Sequence, residues 1–147
     1  MGTIFYTDDD QDDTFIFAQA LKDINKGRSK QYDLETLEDG DGLMNTLNNP
    51  PPTPKVIFLD LNMPGKNGRE TLKEIKENDR FRQFPVVIFS TSSDPADIDF
   101  TYQHGASLFI NKPTRYMDLK NILEKCLDID WQNYKRPAKE HFYLSAS

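Results

Sequence analysis

Val56-Ile57-Phe58-Leu59-Asp60-Leu61-Asn62-Met63-Pro64-Gly65 runs from four apolar residues into an acid and then into loop residues. Apolar residues without polar alternation mark a strand covered on both faces. Asp60 stands where that strand ends. Val86-Val87-Ile88-Phe89 repeats the pattern and stops at Ser90-Thr91. Leu108-Phe109-Ile110 is a shorter version that stops at Asn111-Lys112. Upstream, Ile4-Phe5-Tyr6-Thr7 reads as a first strand ending at Asp8-Asp9, and residues 32–37 alternate as a second.

Helical periodicity fills the gaps. Phe17, Ala20, Leu21 and Ile24 recur at helical spacing. Asp12 or Asp13 is predicted to cap that helix, and Asn25-Lys26-Gly27 to end it. Leu43, Met44 and Leu47 share one side of a short helix within 40–47, and Leu72 and Ile75 lie in another of about 68–78. Asp94-Pro95 starts a fourth helix and Gly105 stops it. Tyr116, Leu119, Ile122, Leu123 and Cys126 line a fifth. Pro50 to Pro54, with four prolines, reads as a stiff surface loop. Strand and helix alternate five times, which implies a parallel sheet with helices on both faces. The expectation is a doubly wound α/β fold of the flavodoxin-like kind, (βα)5, with five strands in the order 2-1-3-4-5. Residues 3–128 form this domain. Residues 129–147 break the pattern and form a tail carrying Trp131, Tyr134, Phe142 and Tyr143.

The chain has 147 residues, with 18 Lys and Arg against 24 Asp and Glu, a net charge of −6. That balance argues against a nucleic-acid backbone or an anionic membrane surface as the main partner. No apolar run approaches the roughly 20 residues of a membrane span, and no signal peptide is visible. The single cysteine, Cys126, excludes an internal disulfide and a cysteine-rich zinc site. A cytoplasmic protein is expected.

Ligands of open α/β sheets bind beyond the carboxyl ends of the strands. There this sequence sets Asp8, Asp9 and Asp60, the hydroxyls of Ser90 and Thr91, and Asn111 with Lys112. Crowded carboxylates call for a cation. Oxygen ligands without His or Cys select a hard one, and Mg²⁺ is typically held by one or two carboxylates, waters and a substrate phosphate. Lys112 and Ser90 suit the oxygens of a phosphoryl group. A carboxylate can itself be the nucleophile and form an aspartyl phosphate. Asp60, on the central strand, is the best placed.

Asp8-Asp9, Asp60 through Gly65 with Asn67-Gly68, Ser90-Thr91 and Lys112-Pro113 together resemble the receiver (CheY-like) domain of two-component response regulators. The resemblance covers about residues 3–128. Phe89 to Asp94, with Trp131 after the last helix, is also similar to single-domain regulators that partner phytochrome-type histidine kinases. The resemblance implies that Asp60 accepts a phosphoryl group from a phosphohistidine of a sensor histidine kinase. It implies Mg²⁺ held by Asp9, Asp60 and the backbone carbonyl of Asn62, with Asp8 acting through a water. Ser90 and Lys112 would engage the phosphoryl group. Ser90 replaces the commoner Thr, which loosens the switch. Thr91 stands where many members have Ala and would slow access to the acyl phosphate. Phe109 occupies the position of an aromatic that changes rotamer on activation. The protein would be a phosphoryl acceptor with slow self-dephosphorylation rather than a turnover enzyme. Its output would pass through the face of helix 95–104, strand 108–111 and helix 115–127. The partner there would be a downstream protein, a relay phosphotransfer protein or a second copy in a homodimer.

The remaining polar residues have plainer readings. Asp10, Asp12 and Asp13 are solvated or capping groups. His104 suits a helix C-terminus, His141 is exposed in the tail, and Cys126 is a core residue. For the tail aromatics, folding back, docking a partner and staying disordered remain open. A phosphatase forming an aspartyl phosphate would carry a second acid where Asn62 stands. Gly65-Lys66-Asn67-Gly68 is not a P-loop. Five Asp within positions 8–13 would repel a flavin phosphate. With 19 residues past 128, no DNA-binding output module is expected.

Overall fold

The computed structural model describes residues 2–49, 53–63 and 65–145. In chain order the elements are β1 (Gly2–Thr7), α1 (Gln11–Lys26), β2 (Tyr32–Leu37), α2 (Gly40–Asn48), β3 (Pro54–Leu59) and α3 (Gly68–Glu77). They continue with β4 (Val86–Ser90), α4 (Pro95–Gln103), β5 (Leu108–Asn111), α5 (Tyr116–Leu127) and β6 (Tyr143–Ser145). Short 3₁₀ turns cover Trp131–Asn133 and Lys139–His141. All neighbouring strands run parallel, in the order β2-β1-β3-β4-β5-β6. The five expected strands hold the expected order. The sheet has a sixth, because residues of the tail add β6 to the free edge of β5.

The period of two along each strand sorts its side chains into two cores. Ile4, Tyr6, Val56, Phe58, Val87, Phe89 and Ile110 meet Phe17 of α1 and Leu119 and Leu123 of α5 on one face. Phe5, Ile57, Leu59, Ile88 and Phe109 meet Leu43 of α2 and Leu72 of α3 on the other. This explains the unbroken apolar runs of β3 and β4: both faces of those strands are covered. Every residue of β4 is buried.

Two local expectations change, and one question left open is decided. The N-cap of α1 is Asp10, not Asp12 or Asp13; its side chain accepts from the Asp12 and Asp13 N–H groups at 2.9 and 3.1 Å. Five acids in six positions are equivalent as sequence, and the cap falls to Asp10, the extended residue directly before the first helical turn. Pro54 opens β3, a strand start being a place that tolerates proline. The rest of the expected stiff loop, Pro50 to Pro52, lies outside the described residues, as does Pro64. The tail folds back onto the domain, crossing from one core to the other. Trp131 joins the α1/α5 core and donates from Nε1 to the Cys126 carbonyl at 3.0 Å. Phe142 is wholly buried in the opposite core, its ring 5.0 Å from that of Tyr102 and 6.4 Å from that of Phe109.

Candidate functional site

The carboxyl ends of β1, β3 and β5 bring Asp8, Asp9, Asp60 and Lys112 together. Carboxylate oxygens of Asp8, Asp9 and Asp60 lie within 4.8 Å of one another. Asp8 and Asp60 are buried and Asp9 is exposed at the rim. The Lys112 ammonium donates to Asp8 Oδ2 at 2.7 Å, to Asp13 Oδ2 at 2.9 Å and to Asp60 Oδ2 at 3.4 Å.

Local structure aims each group. Asp60 follows β3 directly, and its N–H donates to the Thr7 carbonyl of β1 at 3.0 Å. The returning chain passes close beneath it. The Gly68 N–H donates to the Leu61 carbonyl at 3.0 Å, and a Cβ on Gly68 would overlap the Asp60 carbonyl oxygen. Only glycine lets α3 start there. Asn67 then caps α3 in a capping box with Glu70. The Asn62 N–H reaches Asp60 Oδ1 at 3.4 Å. Lys112 is carried by the turn after β5, where its N–H donates to the Ser90 carbonyl at 2.9 Å.

Asp8 is the most tightly held carboxylate. It accepts from the Tyr6 hydroxyl at 2.8 Å, from the Asp10 N–H at 3.0 Å and from Lys112. Burial disfavours its charge, but the bonds from Lys112, Asp10 and Tyr6 outweigh burial and hold its carboxyl below the ordinary value. Asp60 is less well answered. Burial pushes its carboxyl up to about 6, Lys112 opposes this, and the Asp8 charge adds to it. Burial also works against the Lys112 charge, yet Asp8, Asp13 and Asp60 more than offset it and raise the ammonium above its usual value. An acidic cluster with one carboxyl reluctant to ionise is short of positive charge. All-oxygen donors in that state fit a hard divalent cation.

Ser90 is fully buried at the end of β4, and its Oγ accepts from the Ser92 N–H at 3.2 Å. Thr91 is exposed at the rim, where its carbonyl accepts from Asn111 Nδ2 at 3.3 Å. Phe109 is already wholly buried, roofed by Phe142 and Tyr143 of the tail. His104 caps α4, Nδ1 to the Phe100 carbonyl at 2.9 Å; His141 is exposed and Cys126 buried, as expected.

The structure adds residues to the site that the sequence reading passed over. Tyr6 lies two residues before Asp8 on the same strand face, a period-two signal that was available. Asp13, read as solvated or capping, is a partner of Lys112. Asp97, buried in the first turn of α4, accepts from Arg69 Nε at 2.8 Å and from the Ser92 hydroxyl at 2.7 Å. That bond set joins the Ser90–Ser92 turn to the start of α3.

Residues 5–124 match the family model described as the response regulator receiver domain. The chain is 30% identical over 118 residues to response regulator Rcp1 of Synechocystis sp., covering 77% of this chain and 80% of Rcp1. It is 36% identical over 80 residues to the two-component response regulator ARR5 of Arabidopsis thaliana, covering 54% of this chain and 44% of that relative. It therefore spans most of Rcp1 but under half of ARR5. Among solved structures, the Mn²⁺-bound form of Rcp1 superposes with a TM-score of 0.77 at 28% identity, covering 94% of this chain and 100% of that one. The phosphorylated cyanobacterial phytochrome response regulator RcpA does so with 0.80 at 28%, covering 93% and 99%. The chain belongs to the response regulator receiver domain family. Such domains are CheY-like signalling modules of two-component systems, and phytochrome response regulators are among this chain's relatives.

Proposed function

We propose that this receiver accepts a phosphoryl group on Asp60 from a phosphohistidine of a sensor histidine kinase. The carrying observation is the position of Asp60: buried, at the end of the central strand, within 4.8 Å of two more carboxylates and in contact with one buried ammonium. In the step, an Asp60 carboxylate oxygen bonds to phosphorus as the P–N bond to the donor imidazole breaks. The electron pair stays on the imidazole nitrogen, and an acyl phosphate forms. Phosphoryl transfer asks for positioning and charge neutralisation more than covalent chemistry.

Asp9, Asp60 and the Asn62 carbonyl would hold Mg²⁺ directly. Asp8, whose oxygens already accept three hydrogen bonds, would act through a water. The cation would supply charge neutralisation on the transferring oxygens. Lys112 pairs with the phosphoryl group, and the Ser90 hydroxyl, whose own hydrogen is not used in accepting from the Ser92 N–H, donates to it. Thr91 stands at the rim. Hydrolysis of the acyl phosphate at the same site resets the domain, so the chain acts as a phosphoprotein switch rather than a turnover enzyme.

The kinase would approach over the rim of α1 and α5. Phe15, Ile16, Tyr116 and Met117 are exposed large apolar side chains on those helices. A cavity of about 260 Å³, lined by Asp13, Ile16, Phe89, Lys112 and Tyr116, lies beside them. Clustered apolar exposure of this kind marks an interaction site. Output would pass through α4, β5 and α5 to a protein target, a relay protein or a second copy. Incubation with acetyl phosphate and Mg²⁺, followed by intact mass measurement, tests the reading. One phosphoryl adduct is expected in the wild type and none in Asp60→Asn. An equal adduct in that variant would refute it.

A further inference from the structure

A lysine ammonium has three hydrogens to donate. In Lys112 all three have carboxylate partners, and the longest contact is the one to Asp60. The other two draw the ammonium towards Asp8 and Asp13. These two differ in what they can do next. Asp8 belongs to the trio whose oxygens can share an ion. Asp13 is not in that trio. It sits in the first turn of α1, its N–H held by the Asp10 cap at 3.1 Å and its side chain 36% exposed.

A phosphoryl group on Asp60 adds a charge of roughly −1.5 to −2 and new acceptor oxygens. The long Asp60 contact can pass to a phosphoryl oxygen, but the ammonium must then move away from Asp8 and Asp13, which hold it at 2.7 and 2.9 Å. A cation held at that trio would draw on Asp8 through a water and weaken its claim on the ammonium, and would leave the claim of Asp13 intact. We infer that Asp13 is a positioning residue: it holds the Lys112 ammonium towards α1 and competes with the phosphoryl group for it. The phosphorylated state is then less favoured than the rest of the site would allow. This inference rests on the phosphoacceptor reading of Asp60. It extends that reading by naming what restrains Lys112.

Calorimetric titration with beryllofluoride at saturating Mg²⁺ tests it on the full chain. Asp13→Asn should bind beryllofluoride roughly three- to tenfold more tightly than wild type, the range of one charge-assisted hydrogen bond at a half-exposed site. Asp13→Glu, which keeps the carboxylate, should return towards wild-type affinity. Asp12→Asn is the control for net charge. It removes the same charge from the same turn, but Asp12 is exposed and makes no side-chain contact with Lys112. Affinity for Mg²⁺ alone should stay close to wild type in Asp13→Asn, which separates a claim on Lys112 from damage to the metal site. Unchanged or weaker beryllofluoride binding in Asp13→Asn overturns the inference. So does an equal gain in Asp12→Asn, which would make the effect one of overall charge. If the wild type itself fails to bind beryllofluoride, the phosphoacceptor reading falls and takes this inference with it.

Discussion

Asp60 and Asp8 carry the same group at adjacent strand ends and behave differently because their partners differ. Asp8 has a phenol, a backbone N–H and an ammonium on its oxygens. Asp60 has two long contacts at 3.4 Å and is buried. Its carboxyl, pushed up to about 6 chiefly by burial, makes a claim about pH. The folded-state value lies above the unfolded one, so the native state holds the extra proton. The stability this contributes is full below the unfolded value, near 4, and is lost as pH rises through about 6. Asp60→Asn mimics the neutral group at every pH. Without divalent metal, its stability relative to wild type should therefore improve between pH 4.5 and pH 7, by roughly 2 kcal/mol. Denaturant titrations at the two pH values measure this. A difference that does not change with pH would mean that Asp60 ionises freely in the fold. Addition of Mg²⁺ should shrink the gap, because a bound cation favours the carboxylate.

Most of the site was legible because each member follows an apolar run, and strand ends of such a sheet converge. Asp13 was not legible in the same way. Nothing local distinguishes it from Asp10 or Asp12, and its partner Lys112 lies 99 residues away. The reach of a lysine side chain towards α1 is a fact of tertiary structure. Arg69, Ser92 and Asp97 were missed for the same reason.

At the scale of elements, the helices and inner strands follow from periodicity, while β6 does not. A strand of three residues carries too little pattern to be read, and the tail's aromatics suited several fates. What fixes the tail is a set of contacts with α4 and β5. The Phe109 N–H donates to the Phe142 carbonyl at 3.1 Å, and β6 pairs with β5 through Tyr143, Leu144 and Ser145. The Arg136 guanidinium lies 3.8 Å from the centre of the Tyr102 ring, and Lys139 pairs with Asp99. The tail thus stands on the face through which output is proposed, and it buries Phe109. Removing its anchor should release it. Phe142→Ala should cost about 3 kcal/mol, the usual order for emptying a buried phenylalanine site. It should also raise amide exchange over 139–145 while β3 and β4 stay protected. Exchange over 139–145 equal to wild type would show that the strand pairing, not the ring, holds the tail.

Over the whole molecule, the sheet does one job for function. It collects groups from positions 8, 9, 60, 90 and 112 at one edge, two cores fixing the strands that carry them. Among the described residues no helix is long and apolar enough to cross a membrane. The family assignment rests on the match over residues 5–124, and the fold on that match and on superposition with other receivers. The chemistry proposed for Asp60 rests on the geometry of this one edge. The most direct measurement is trapping the phosphorylated residue itself. The protein is treated with acetyl phosphate and Mg²⁺, then reduced with borohydride, which converts an aspartyl phosphate to homoserine, and mapped by peptide mass spectrometry. Homoserine is expected at position 60, and its formation should depend on Mg²⁺. Homoserine at position 8, 9 or 13, or a stable phosphoryl group on another residue type, would contradict it.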